Sequence, residues 1–467
     1  MATSGKPNIL FLFPDQHRHD WVGWNADLPV RTPNLDRLAS QGVAFNRMIC
    51  NSPLCAPSRA TLALGVNYRR SGVIDNLDDT PLDRPMVYQH LRDAGYRVGA
   101  VGKVDLHKGT YEWKVDGSSW LEDWGFTEGI DNEGKHAGVV TGVDEPAGPY
   151  MAFLHERGLQ QVHFDDLHGR HDFTSTDPTP LPDDAYSDNW IAENCLKFLR
   201  AFPKDQPWFM QVNYTGPHEP MDITQSMYDR WTDVDFPQPH DNDEYDADTH
   251  RQIRRNYAAM LENIDRHTAR YLEVIRERGE LDNTIIVYSS DHGEMLGDHE
   301  VWAKFTHYQP SLGVPLVVSG PGIREGADVD AIVQLIDLTA TFIDYGGAAP
   351  LPDADGKSLR PLLEGTAERL HEQVFAGLTN RTEPPEDIGD GSLIKYMLAA
   401  SRAFDWDAVL DGRHKLVRSR EDGTLLVDLD EDPLETVNLA ESHPEMVARL
   451  GALLDKELER PVPKGNA

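Results

Sequence analysis

Residues 50–65 read CNSPLCAPSRATLALG. Two of the chain's three cysteines stand here, five positions apart, and the second opens a Cys-Ala-Pro-Ser-Arg run. On the residues alone, Cys55 is open to several readings: a buried thiol, a metal ligand, a nucleophile, or the precursor of another group. The flanking chain narrows the choice.

The protein has 467 residues, 39% hydrophobic and 26% charged, an ordinary balance for a globular protein. Asp and Glu outnumber Lys and Arg 78 to 44, a net charge of -34. A chain this acidic lacks the basic face that a phosphate backbone or an anionic lipid surface demands, so neither a nucleic-acid nor a membrane partner is expected. Three cysteines cannot form a disulfide framework. No run approaches the length of a transmembrane helix. The apolar run entered at residue 8 is too short for a signal sequence and is followed by Asp15. As the chain stands a cytoplasmic setting is expected, or a periplasmic or secreted one where a leader has been removed.

Short apolar runs alternate with helical patterns. NILFLFPDQ (8–16), RVGAVGK (97–103), PWFMQVNYTGPH (207–218), NTIIVYSSDHGE (283–294) and VPLVVSGPG (314–322) read as buried strands. TPNLDRLASQG (32–42) reads as a helix with Thr32 as cap, Pro33 in the first turn and Gly42 as stop. Residues 250–279 form a long amphipathic pattern, with Ile253, Tyr257, Leu261, Ile264, Thr268, Tyr271 and Ile275 along one face. Apolar strands alternating with helices imply an α/β fold with a mostly parallel sheet covered on both faces, whose ligands gather beyond the carboxyl ends of the strands. Four such ends carry polar groups: Asp15-Gln16, Lys103, His218 and Asp291-His292. Residues 140–185 read as a loop excursion. After a Gly/Pro/Ala connector (345–359), HKLVRS and TLLVDLDEDP suggest a hairpin and residues 443–461 a closing helix. The expected division is a catalytic domain at 1–365 and a smaller α+β subdomain with a short antiparallel sheet at 366–467.

The Asp15-Gln16 and Asp291-His292 pairs offer oxygens and one imidazole to a divalent cation, calcium in the first place and manganese as an alternative. Arg59, Lys103, His107, His218 and Lys304 could bind a tetrahedral anionic ester if they converge.

The run from Cys55 through Pro57, Ser58 and Arg59 to Gly65 closely resembles the sulfatase signature C-x-P-S-R-x-x-x-x-x-G, matching every fixed position. PNILFLFPDQ, LRDAGYRVGAVGK, GPHEPM, SSDHGEMLGDHEVWAKFTHY, VPLVVSGPG, QLIDLTATFIDYGG and LLVDLDEDPLETVNLA also resemble segments of that family. The likeness spans the chain apart from about 110–205 and 370–410. It implies the alkaline-phosphatase-like fold, a large mixed sheet flanked by helices with a smaller C-terminal unit. It also implies that a maturation enzyme oxidises Cys55 to formylglycine, whose hydrate attacks sulfur through one hydroxyl and expels sulfate through the other. By the same resemblance Asp15, Gln16, Asp291, His292 and residue 55 hold the metal. Arg59 fixes the nucleophile; Lys103, His218 and Lys304 bind sulfate oxygens, with a histidine or Lys304 protonating the leaving alcohol; Asn76 contacts substrate.

Two departures stand out. Asp-Gln and Asp-His replace the more usual Asp-Asp and Asp-Asn, as in the branch of choline sulfatases and phosphonate monoester hydrolases. The usual G-K-x-H becomes Gly102-Lys103-Val104-Asp105-Leu106-His107, with Asp105 where the histidine is expected; His107, brought there by a loop shift, is the expected base, and the alternative is that Asp105 orients another group. Cys50 and Cys195 read as buried apolar residues.

The expected function is hydrolysis of a small sulfate monoester, a sulfated carbohydrate in the first place. The alternatives are an aryl or choline sulfatase, or a phosphonate monoester hydrolase or phosphodiesterase using the same site. The expected partners are that substrate, the formylglycine-generating enzyme and a second copy of the chain in a homo-oligomer. Trp113, Trp120, Trp124, Tyr150 and Trp231 are candidates either for stacking on a leaving group or for the core.

Overall fold

Strand β1 (Asn8–Leu12) is buried along its whole length. Its alternate side chains enter two different cores. Ile9, Phe11 and the following Phe13 pack with Leu62, Leu338 and Phe342. Leu10 and Leu12 pack with Ile191, Leu196, Ile264 and Tyr271. A strand with apolar side chains on both faces needs cover on both. One side is covered by the helices Cys55–Leu64 and Ile336–Gly346, the other by Ser187–Ala201 and Ala247–Glu277. This computed structural model describes residues 5–110, 112–135, 137–138, 142–170, 173–379 and 405–465.

The other strands follow in chain order: β2 (Gly42–Phe45), β3 (Met48–Ile49), β4 (Arg97–Gly102), β5 (Glu128–Asp131), β6 (Trp208–Asn213), β7 (Thr284–Tyr288), β8 (Leu316–Ser319), β9 (Ala327–Val329) and β10 (Val333–Gln334). The main sheet has the order β5-β4-β6-β1-β7-β8-β2-β9. From β5 to β7 every pairing is parallel; β8 runs antiparallel to both neighbours, which makes the sheet mixed. The register sets Leu10 beside Met210 on one side and Ile286 on the other. Neighbouring strands β4, β6, β1 and β7 therefore deliver Lys103, the 214–218 turn, Asp15 and the 289–292 turn to one edge of the sheet.

A second sheet, fully antiparallel, is built from β11 (Val374–Leu378), β12 (Trp406–Leu410), β13 (His414–Ser419) and β14 (Gly423–Asp428) in sequential order. One face (Ala376, Trp406, Ala408, Val417) joins the core beneath the main sheet. The other (Val409, Leu416, Leu426) is closed by Leu450 and Leu454 of the helix Pro444–Leu458. Among the described residues no helix is long and apolar enough to cross a membrane.

Two local expectations change. The helix at Pro33–Ser40 is capped by Gln41, and Gly42 instead starts β2, where a Cβ would meet the Val318 carbonyl at 2.3 Å. The excursion at 140–185 contains the helices Pro149–Glu156 and Gln160–Gly169; Tyr150, Met151 and Leu154 anchor the first in the core beside Ile191. Their apolar spacing lies among turn formers, which hides the helical period.

Candidate active site

Each fixed residue of the Cys55–Gly65 run has a physical task. Cys55 is the first residue of the helix, at its positive end. Pro57 sits in the first turn, where no backbone donor is missed. Ser58 Oγ donates to the Asp291 carbonyl at 2.5 Å. Gly65 takes φ 68, and its N–H closes the helix on Thr61 O. Asn76 Oδ1 accepts from Ala56 N at 3.0 Å and so caps the helix from outside.

Cys55 Sγ lies 3.3 Å from His292 Nε2 and 3.7 Å from Asp15 Oδ1. One ligand atom from each of Asp15, Cys55, Asp291 and His292 falls within 4.8 Å of the other three, and all four residues are buried. Asp291 Oδ1 accepts from the backbone N–H groups of Gln16 and His292, at 3.0 and 2.9 Å. Gln16 thus joins the cluster through its backbone. Its carboxamide oxygen accepts from Lys304 Nζ, and its nitrogen donates to Glu219 and Glu294.

Arg59 is buried beneath this group. Its Nε donates to Asp291 Oδ2 at 2.9 Å, its Nη1 to the Lys103 carbonyl, and its Nη2 stands 3.6 Å from Asp15 Oδ2 without a hydrogen-bond partner. Lys103 Nζ is paired with Asp15 Oδ2. Lys304 Nζ donates to His218 Nε2 at 2.6 Å, while His218 Nδ1 meets the Glu219 carbonyl at 2.7 Å. A carbonyl only accepts, so Nδ1 carries the proton and Nε2 accepts from Lys304.

These contacts set the electrostatics. Burial alone would raise the Asp15 carboxyl; Lys103 above all, with Arg59 and Lys304, outweighs it and holds Asp15 well below the usual carboxylate range. Burial and Asp15 push the Cys55 thiol up, but Lys103, Lys108 and Lys304 hold it well below its ordinary value. Burial lowers Lys304, yet Cys55, Glu219 and Asp15 leave it raised. Burial and Glu219 push Glu294 to about 7.

Asp15, Gln16, Cys55, Arg59, Lys103, His218, Asp291, His292 and Lys304 therefore converge. Asn76 sits at the start of the same helix, its Nδ2 buried and unpartnered. His107 is directed elsewhere: its Nε2 meets Asp131 Oδ2 at 2.7 Å, and its ring stacks on Trp124. Asp105, the alternative orienting group, instead lies 3.1 Å from Lys103 Nζ, and Lys108, which carried no assigned task, pairs with Asp105. Glu219 and Glu294 were also missed; each lies within three residues of an expected site residue, and that proximity was the only available signal. Trp113, Trp124, Tyr150 and Trp231 are core residues. Residues 380–404, within one of the two stretches where the family likeness lapses, lie outside the described residues.

A family model described as Sulfatase matches residues 7–348. The chain is 25% identical to an arylsulfatase of Clostridium perfringens (strain 13 / Type A), over 97% of this chain and 95% of that one. It is 29% identical to a choline-sulfatase of Rhizobium meliloti (strain 1021), over 94% and 83%. The structure of the phosphonate monoester hydrolase of Agrobacterium radiobacter superposes with a TM-score of 0.78 at 24% identity, over 97% of this chain and 95% of that one. At that identity the likeness concerns the fold.

Proposed function

The chain belongs to the sulfatase family and is a sulfuric ester hydrolase, and from that premise we propose that it cleaves a sulfated carbohydrate at residue 55, after conversion of Cys55 to formylglycine. The observation that carries this reading is the buried meeting of Cys55 with Asp15, Asp291 and His292 beneath Lys103 and Lys304.

The donor chemistry fits a divalent ion. With a thiol at residue 55 the set is mixed; with an oxygen there it becomes oxygen-rich with one imidazole, which suits calcium, or manganese as the alternative. The unpartnered Arg59 Nη2 beside Asp15 suits a hydroxyl-bearing residue 55. When bound, the ion and the formylglycine hydrate would supply an activated oxygen nucleophile and a sink for negative charge.

The remaining work falls to the chain's own side chains. Arg59 locks Asp291 and spans the Lys103 carbonyl, which fixes the helix start that presents residue 55. Lys103, Lys304 and the free Asn76 amide offer donors to sulfate oxygens, preorganised among buried groups. Lys304 already donates a hydrogen bond to His218 Nε2. The Lys304 ammonium can deliver a proton to the departing alcohol oxygen, directly or by way of His218 Nε2, and His218 and Glu219 are the more exposed side of the site.

The leaving group is read from that open side. His218 and Glu219 present hydrogen-bonding groups suited to sugar hydroxyls. The Asp15-Gln16 and Asp291-His292 pairs favour a second reading, hydrolysis of a phosphonate monoester or phosphodiester, which carries the same single charge. The test is a sulfate-release screen over sulfated saccharides, choline sulfate, aryl sulfates and an aryl phosphonate. It uses protein co-produced with a formylglycine-generating enzyme, with Cys55→Ala as control. Release from saccharides that is lost in Cys55→Ala supports the proposal; release only from choline or aryl esters removes the carbohydrate assignment.

A further inference from the structure

We propose that Lys108, acting through Asp105, is a positioning residue that fixes Lys103 on the sulfate-binding side of the site, and that His107 is a structural residue. The proposal rests on the reading of residue 55 and its lysines as a sulfate-ester site.

One carboxylate oxygen makes the link. Asp105 Oδ2 accepts from Lys108 Nζ at 2.7 Å and lies 3.1 Å from Lys103 Nζ. Lys103 Nζ is in turn paired with Asp15, beside Cys55 Sγ. Charges thus alternate from Lys108 through Asp105 and Lys103 to Asp15, and all four side chains are buried. In so dry a setting each charge is sensitive to the loss of its partner, and a long lysine side chain is held in one geometry. Lys108 also ranks with Lys103 and Lys304 among the cations that hold the Cys55 thiol down.

The backbone is shaped for this arrangement. Asp105 takes φ 60, a left-handed conformation that a non-glycine residue adopts at a cost of about 1 kcal/mol. Gly102, at the end of β4, takes φ 102, and a Cβ there would meet the Asn213 carbonyl at 1.8 Å. The turn brings Asp105 back between the two lysines.

His107 has the opposite surroundings. Its Nε2 is held by Asp131 Oδ2 at 2.7 Å and its Nδ1 lies 3.4 Å from Thr110 Oγ1. Trp124 stacks on the ring with centroids 5.3 Å apart, and Trp113 lies at 5.4 Å. Asp131 Oδ1 also accepts from Val104 N at 2.9 Å. His107 therefore pins the loop that carries Lys103 and Asp105, with both ring nitrogens engaged away from residue 55.

The test measures binding rather than turnover. Inorganic sulfate is titrated by calorimetry, in calcium buffer, into full-length Cys55→Ala protein and into further variants made on that background. Lys108→Met is expected to weaken sulfate binding about tenfold, the loss of one nearby charge in a partly screened site. Lys108→Arg is expected to stay close to the parent, and His107→Gln within about twofold of it on the same argument. Should Lys108→Met fold poorly, Asp105→Asn/Lys108→Met removes both charges without leaving an unpaired carboxylate, and it too should lose affinity because Lys103 is no longer held. Parent-like binding by the double variant, or a loss in His107→Gln as large as that in Lys108→Met, overturns the inference and leaves the proposed function standing. Absence of sulfate binding to the Cys55→Ala parent overturns the proposed function and this inference with it.

Discussion

Arg59 Nε donates to Asp291 Oδ2 at 2.9 Å, which ties the helix beginning at residue 55 to the end of the strand that brings Asp291 and His292. The same guanidinium reaches the Lys103 carbonyl and lies 5.0 Å from the Phe13 ring. A lysine has neither the fork nor the reach for these contacts. Arg59→Lys should therefore lower kcat by about 10²- to 10³-fold, the cost of losing one preorganised donor set. Steady-state kinetics on the matured protein check this, and a kcat near that of the parent would show that Arg59 does not orient the site.

The C-terminal sheet should matter for catalysis through Lys304. Trp406 Nε1 donates to the Phe305 carbonyl at 2.8 Å, and the buried Lys415 donates to the His307 carbonyl while pairing with Glu435. These bonds brace a loop with positive φ at Ala303 and Phe305, on either side of Lys304. Trp406→Phe should cost about 1 kcal/mol of stability and lower kcat/KM. Lys415→Met leaves the buried Glu435 carboxylate without its cation and with the Gln309 N–H still donating to it, so the stability loss should reach about 3–5 kcal/mol. Urea unfolding followed in parallel with kinetics separates the two effects; a Trp406→Phe enzyme with full activity would argue against the brace.

Divalent-ion dependence is expected from the Asp15, Asp291 and His292 group. Protein stripped with a chelator should lose activity and recover it with calcium. Calcium at about 100 times its Kd should stabilise the fold by about 2.7 kcal/mol. Asp291→Asn should abolish most of that stabilisation. Calcium-independent melting in the parent would place the ion elsewhere.

Stability should also carry a signature of Glu133. This buried carboxyl accepts from Met151 N at 2.9 Å and Tyr150 N at 3.4 Å, and burial pushes it from 4.5 to about 7. Its folded value lies above its unfolded one. Its contribution is therefore fully present below pH 4.5 and is lost as pH rises through about 7. Glu133→Gln stays neutral at every pH and keeps a carbonyl acceptor. Relative to this variant, the parent should lose about 3 kcal/mol across that window. Unfolding free energies on both sides of it test the point, and parallel profiles would refute it.

The convergence of the site was legible in sequence because parallel buried strands end in polar residues. β4, β6, β1 and β7 are neighbours, so Lys103, His218, Asp15 and Asp291 had to meet. The signature run was legible for a similar reason: Pro57, Ser58, Arg59 and Gly65 each meet a local demand of the helix or its contact with Asp291. The loop after β4 was not. Beyond a strand no period says where a side chain points, and a left-handed residue at Asp105 redirects the chain through residues 106–108. His107 thereby turned to Asp131 and Lys108 to the site. The tryptophans at 113, 124 and 231 could not be sorted between core and platform, because burial of a large ring depends on partners distant in the chain.

A site built for sulfuric esters should show it on a matched pair of substrates. An aryl sulfate and an aryl phosphonate monoester with the same leaving group are compared by kcat/KM on protein whose residue 55 has been matured. A sulfate preference of about tenfold or more is expected if Lys103, paired with Asp15, donates to the sulfate as proposed and so contributes to transition-state binding. A preference of that size for the phosphonate would contradict it.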